Sequence, residues 1–169
     1  MISQVAPLTK SPMAILNGAA LVLIVSALTW IFFSDLVYGL IPDLAVAVGA
    51  VGVITMGLMG HMSLMSLMAQ VGAAIAAAGF FLFLVLITRG RGMGTGDVTL
   101  AAFLGLWLGW PKILLAVWLA FLIGAIWGIG LILLGRKKFG QTIPFGPFLI
   151  AASIITAIIN NSWAALIGL

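Results

Sequence analysis

The sequence predicts an all-α polytopic membrane protein with about six transmembrane helices, and three observations carry that prediction. Of 169 residues, 64% are hydrophobic and only 6% are charged, whereas a soluble domain carries about 25% charged residues and could not be wetted by so few. The mean hydropathy is +1.38. The apolar residues also fall into long runs, parted by short stretches that hold most of the charges and prolines. A run of about 20 apolar residues crosses the roughly 30 Å hydrocarbon core as a helix that satisfies its own backbone.

Taken in order, residues 1–11 are a polar tail with Pro7 and Lys10. Residues 12–34 form a first span of about 23 residues, long enough to cross. It is too long for a signal-peptide core and has no convincing cleavage site. The loop 35–43 is bracketed by Asp35 and Asp43, and Pro42 suits the first turn of the next helix, 44–59. The loop 60–63 holds the only histidine, His61, and an Ala- and Gly-rich span follows over 64–87. A basic, glycine-rich loop then carries Arg89 and Arg91 up to Asp97. The fourth span, 98–110, has only about 13 residues, or roughly 20 Å, too short to cross alone. Its start, with Asp97, is therefore expected below the membrane surface, where irregular backbone is tolerated only under protein or beside a water-filled cavity. A fifth span covers 111–134. Arg136, Lys137 and Lys138 and a turn-rich 141–147 lead into a sixth over 148–165. No internal repeat is evident, and residues 1–169 read as a single membrane-embedded domain.

Basic residues set the topology. The first, third and fifth loops share one side and carry Arg89, Arg91, Arg136, Lys137 and Lys138, against Lys10 and Lys112 on the other. That bias puts the three loops in the cytoplasm and both termini outside. Trp107, Trp110 and Trp163 then fall near the outer boundary, where indole rings favour the interface. Seven scattered Lys and Arg make no nucleic-acid surface, so no nucleic-acid partner is expected beside the lipid bilayer.

The chemistry is narrowed by what is missing. There is no cysteine, hence no disulfide, thiolate zinc site or cysteine nucleophile. No HExxH, Ser-xx-Lys or phosphate loop occurs either, and neither metal nor cofactor is expected. The acids are Asp35, Asp43 and Asp97, all assigned to the cytoplasmic side. A charged side chain in or beside a span costs roughly 2.5–3.5 kcal/mol on insertion scales, which makes each a functional suspect. Asp97, Ala101, Gly105 and Gly109 recur at intervals of four, a small-residue stripe that admits a close helix neighbour. The carboxylate is thus aimed at a helix seam, with Asp35 or Asp43 as its acidic partner. Two adjacent carboxylates share one proton, so the ionised one can activate water while the other protonates a carbonyl or leaving amine. That is aspartyl-protease chemistry. Simpler roles exist: Asp43 and Asp97 each precede a helix and could serve as N-caps. Asp35, at a helix C-terminus, sits where the dipole disfavours negative charge, so capping does not explain it. His61 reads as a loop residue, Arg136-Lys137-Lys138 as a headgroup anchor, and Gly124 with Gly128 as ordinary span packing.

Gly92-Met93-Gly94-Thr95-Gly96-Asp97-Val98, with the following Leu100-Ala101-Ala102 and Gly105 to Trp110, resembles the GMGxGD segment of the prepilin peptidases, GxGD-type membrane aspartyl proteases. Asp35 with Ile41-Pro42-Asp43 resembles that family's first aspartate motif, and Ile143-Pro144-Phe145-Gly146-Pro147-Phe148 its last-span motif. The resemblance runs from roughly Trp30 to the C-terminus. It implies a prokaryotic inner-membrane endopeptidase acting at the cytoplasmic face on type IV prepilin-like precursors, cut between the glycine ending a short basic leader and the apolar helix. It implies Asp35 and Asp97 as the catalytic pair, with Asp43, Gly94, Gly96, Pro144, Gly146 and Pro147 in support. Two departures stand out. Thr99 occupies the place of a usual lysine, and without cysteine the paired CxxC motifs of bifunctional members have no counterpart, so N-methylation of the mature pilin is not expected. Two other readings of the same residues are a presenilin-like GxGD protease acting on other membrane segments and a small proton- or ion-coupled transporter with an aspartate relay. A purely structural role would leave Asp35 unexplained.

Overall fold

The computed structural model describes residues 12–60, 62–135 and 144–159, and its described residues form helices and connecting turns with no strand. The order is α1 (Pro12–Tyr38), α2 (Asp43–Met59), α3 (Leu64–Thr88), α4 (Thr95–Leu108), α5 (Lys112–Leu133) and α6 (Gly146–Ile158). Helices α1, α3 and α5 contain apolar stretches of 25, 25 and 22 residues, each long enough to cross a membrane. Helices α2, α4 and α6 are shorter, at 17, 14 and 13 residues. The chain is a multi-pass membrane protein.

Consecutive helices pair as α1 with α2, α3 with α4, and α5 with α6. The short α4 ties these hairpins together by touching α2, α3, α5 and α6, and α6 returns to α1. Helix α4 can sit at the centre because its residues fit there: Leu100, Ala101 and Leu104 are fully buried and Phe103 nearly so. In lipid, helices gain little from hiding apolar surface and associate through close packing of small residues. The stripe on α4 does this. A Cβ on Gly105 would stand 2.7 Å from the Ala74 Cα and 2.8 Å from the Ala73 carbonyl oxygen. The neighbour in that seam is α3, which carries no acid, and not the helix that brings a second carboxylate. The first glycine of the Gly124/Gly128 pair faces Phe148 of α6 and Phe145 at its N-cap, within the same hairpin and at ordinary contact distance.

Three helix ends differ from the sequence reading, and they matter because each carries an aspartate. Helix α1 continues one turn past Ser34, through apolar Leu36 and Val37, and stops only at Gly39. There φ is +63°, a conformation that glycine adopts at little cost, and its N–H donates to the Asp35 carbonyl at 2.9 Å. Asp35 is therefore inside the last turn. Helix α2 begins with Asp43 itself, and extended Pro42 takes the cap position without a side-chain bond. Asp43 is thus not an N-cap. Helix α4 starts at Thr95 with Gly94 as cap, which places Asp97 at the third helical position and removes its N-cap reading as well.

Candidate active site

The helix ends converge on one cavity of about 510 Å³. Its wall is made from the α1–α2 turn, the glycine-rich loop with the start of α4, and the segment entering α6. Asp35, Asp43 and Asp97 all line it. Two of them are nearly shut off from the surface, Asp35 at 5% and Asp97 at 7% exposure. Asp43 is exposed at the rim. The sequence could offer either Asp35 or Asp43 as the partner of Asp97; the buried pair is Asp35 with Asp97.

Each buried carboxylate is held by backbone from a glycine motif. Asp97 Oδ2 accepts the Gly94 N–H at 3.1 Å, and the Asp97 N–H donates back to the Gly94 carbonyl at 3.2 Å. This is the side-chain half of a capping box, with the acid at the third position serving the cap residue. It fixes the carboxylate against its own helix start. Asp35 is fixed from across the fold. A Cβ on Gly146 would stand 2.5 Å from Asp35 Oδ2, so only a glycine leaves room for the carboxylate at the start of α6. The Gly146 amide faces the carboxylate, yet Oδ2 itself is buried and has no hydrogen-bond partner among the described residues. A buried carboxylate oxygen without a partner is costly, and such groups call for a functional explanation.

A third glycine contact locks the two aspartate segments together. A Cβ on Gly96 would lie 2.9 Å from the Ile41 Cβ, so the Ile41-Pro42-Asp43 turn rests on the first turn of α4. Ile41 is a positioning residue to which sequence reasoning had given no role. Phe145 is another. Its ring packs at 4.9 Å from Phe121 of α5 and 5.9 Å from Phe81 of α3, and it lines the cavity beside Pro144. The signal was in the sequence, since both residues lie within the quoted motifs, but a motif does not say which neighbour its apolar members touch.

The other expected residues fall as follows. Pro147 is buried in the first turn of α6, where a missing N–H is harmless. Thr99 lines the cavity, and its hydroxyl donates to the Gly96 carbonyl at 3.0 Å. Trp110 is exposed and Trp107 half-buried. His61, Trp163, residues 136–138 and residues 141–143 lie outside the described residues. Among the described residues no three His, Cys, Asp or Glu side chains gather as metal ligands. Two sequestered carboxylates on one cavity wall can divide acid and base work between them.

The chain matches the profile of the type IV leader peptidase family over residues 22–129. It is also similar to proteins named prepilin leader peptidase/N-methyltransferase. That of Aeromonas salmonicida (strain A449) is 36% identical over 142 residues, or 80% of this chain and 48% of that protein. That of Pseudomonas aeruginosa is 45% identical over 76 residues, 45% of this chain and 26% of the relative. That of Bacillus subtilis (strain 168) is 39% identical over 89 residues, 52% and 36% respectively. The chain spans about half the length of the first of these relatives and less of the other two. No solved structure matches it. With a family match that takes in Asp35, Asp43 and Asp97 alike, this chain belongs to the type IV leader peptidase family.

Proposed function

We propose that this chain is a membrane aspartyl endopeptidase that removes the leader from prepilin-like precursors at the cytoplasmic face. The observation that carries this is the pair of buried carboxylates, Asp35 from α1 and Asp97 from α4, on the wall of one cavity in a chain with three acids. In this reading one proton is shared. Asp97 is the base, because its Oδ2 already accepts an amide hydrogen bond that favours the ionised form. Asp35 is the acid, because it sits in the last turn of α1, where the helix dipole disfavours a negative charge. Asp97 takes a proton from water as the oxygen attacks the scissile carbonyl, and Asp35 gives its proton to the carbonyl oxygen. The tetrahedral intermediate collapses with cleavage of the C–N bond, and the leaving amine is protonated by the dyad. Gly94 and Gly146 bear directly on the two carboxylates, and Asp43, Gly96, Pro144 and Pro147 belong to the segments that carry them.

The family and the relatives' names support a prepilin-like substrate. Only the peptidase activity is taken from their double name. The distribution of Arg89, Arg91, Arg136, Lys137 and Lys138 supports a cytoplasmic site, with the termini on the other side. A proton or ion relay would need ionisable groups spread through the bilayer, and Asp35, Asp43 and Asp97 all line one cavity instead. The test is cleavage of co-expressed prepilin-like precursors. Asp35→Asn and Asp97→Asn should each abolish cleavage while the protein stays folded in the membrane, since each keeps the shape and removes a proton site. Near-wild-type turnover by either would refute the dyad. A cut away from the leader junction would point to a protease of other membrane segments.

A further inference from the structure

Further along α1 and α6 from the Asp35–Gly146 contact, the space between the two helices opens into a second cavity of about 490 Å³. Ile24, Leu28 and Phe32 line it from α1, at intervals of four that lead up to Asp35. Ile150 and Ile154 line it from α6, at the same interval counted from Gly146, and Trp107 of α4 forms a third side. The groove is thus the continuation, along the same two helix faces, of the contact that holds the Asp35 carboxylate. Ile24, Leu28 and Ile150 are buried and make its floor, while Ile154 stands exposed on a wall. Its one hydroxyl, that of Thr29, already donates to the Val25 carbonyl at 2.8 Å, and apart from the Trp107 indole N–H the rest of the lining is hydrocarbon.

We propose that this groove seats an apolar helix of the substrate, one end of which reaches Asp35. The proposal rests on the peptidase reading above. A lining this nearly apolar rejects unpaired backbone or charge, and a helix is the form in which a chain brings neither. The lining runs from Leu21 to Phe33 on α1, on the order of 18 Å, or about three turns of a docked helix. Phe32 lies within one turn of Asp35 along α1. An acyl chain could fill the volume, but the alignment with Asp35 has a use only for a chain that also enters the cavity of the aspartates.

The chain has no cysteine, so introduced thiols report without background. Single cysteines would be placed at Val25 and Ile154 in the groove, and at Leu82 on exposed α3 as control, in the full-length Asp97→Asn protein. Each would be oxidised in membranes with a prepilin-like precursor carrying one cysteine in its apolar helix. Positions 25 and 154 should crosslink at least about tenfold more than 82. In the active protein, Ala157→Trp, which fills the groove, should raise KM for the membrane precursor about tenfold. It should leave unchanged the cleavage of a short peptide that spans the cut site and lacks the apolar helix. Equal crosslinking at all three positions, no crosslinking, or an unchanged KM in folded Ala157→Trp would overturn the groove as the docking site and leave the peptidase intact; a lipid-filled groove gives this result. If the unaltered protein cuts neither precursor nor peptide, the peptidase reading fails and the docking proposal falls with it.

Discussion

Gly146→Ala is the smallest change that tests the geometry, because it adds one methyl group against one oxygen of the proposed dyad. The new Cβ would lie 2.5 Å from Asp35 Oδ2, 3.2 Å from its Cγ and 3.5 Å from its Cβ. Carbon and oxygen at ordinary contact need about 0.5–1 Å more than the shortest of these. What must yield is the end of a side chain and not backbone, so the carboxylate can rotate away while α6 keeps its place. The cost in stability should be small, within about 1 kcal/mol. The cost in rate should not. A displacement of about 1 Å at a reacting group can lower turnover on the order of 10²-fold, and Asp35 is the group displaced. Cleavage of a membrane-embedded precursor would give kcat, and thermal unfolding in detergent would give Tm. We expect kcat to fall about 10²-fold with Tm nearly unchanged. Full activity in Gly146→Ala would show that Asp35 is not held against this glycine, or that its position is irrelevant to the chemistry. A large drop in Tm would show that the contact is structural.

Gly105→Ala should show the opposite balance, since its Cβ would meet Ala73 and Ala74 backbone at 2.7–2.8 Å; overpacking of that kind costs about 1–3 kcal/mol, read as a clear loss of Tm, and Gly105→Leu should also lose activity. Full stability in either would mean that this face meets lipid. Gly96→Ala should push the Ile41 turn off α4 and slow cleavage, and Ile41→Gly, which removes the Cβ it meets, should restore part of that loss; purely additive rates would deny the contact. Asp43→Asn should cost less than about tenfold in rate, because Asp43 is exposed and makes no cap bond, and its interaction with the α2 dipole is worth about 0.3–1 kcal/mol. A folded but inactive Asp43→Asn beside an active Asp35→Asn would exchange their roles.

The six helices were legible because lipid imposes one requirement on every span, and runs such as 64–87 state it openly. The helix ends were less so. Ser34-Asp35 reads as a boundary because it is polar, yet α1 ends where Gly39 permits a positive φ, four residues beyond the charge. Gly94-Thr95-Gly96 reads as loop because glycine is a poor helix former, yet α4 begins there, since Asp97 serves the cap and Gly96 admits Ile41. The stripe through Gly105 announced a close neighbour without naming it, as small residues carry no address. Nothing local in the chain announced that Gly146 lies on Asp35, or that Gly49 of α2 receives the Phe103 ring. Those pairings belong to the packing of whole hairpins.

The glycines of the three motifs have different physical reasons, and the difference bears on how the proposed dyad is built. Gly39 is needed for its φ. Gly96 and Gly146 sit in ordinary helical backbone and are needed for the space their missing Cβ leaves, one filled by Ile41 and the other by the Asp35 carboxylate. The α1–α2 turn is thereby pinned to α4, while Asp35 one turn away is pinned to α6. With Gly94 closing on Asp97, each carboxylate is fixed through contacts that the other's helix does not supply. Two acids that repel each other when both are ionised would move apart if they were held only by their mutual contact. Held separately, they can pass through each charge state of the proposed catalytic cycle without the site opening.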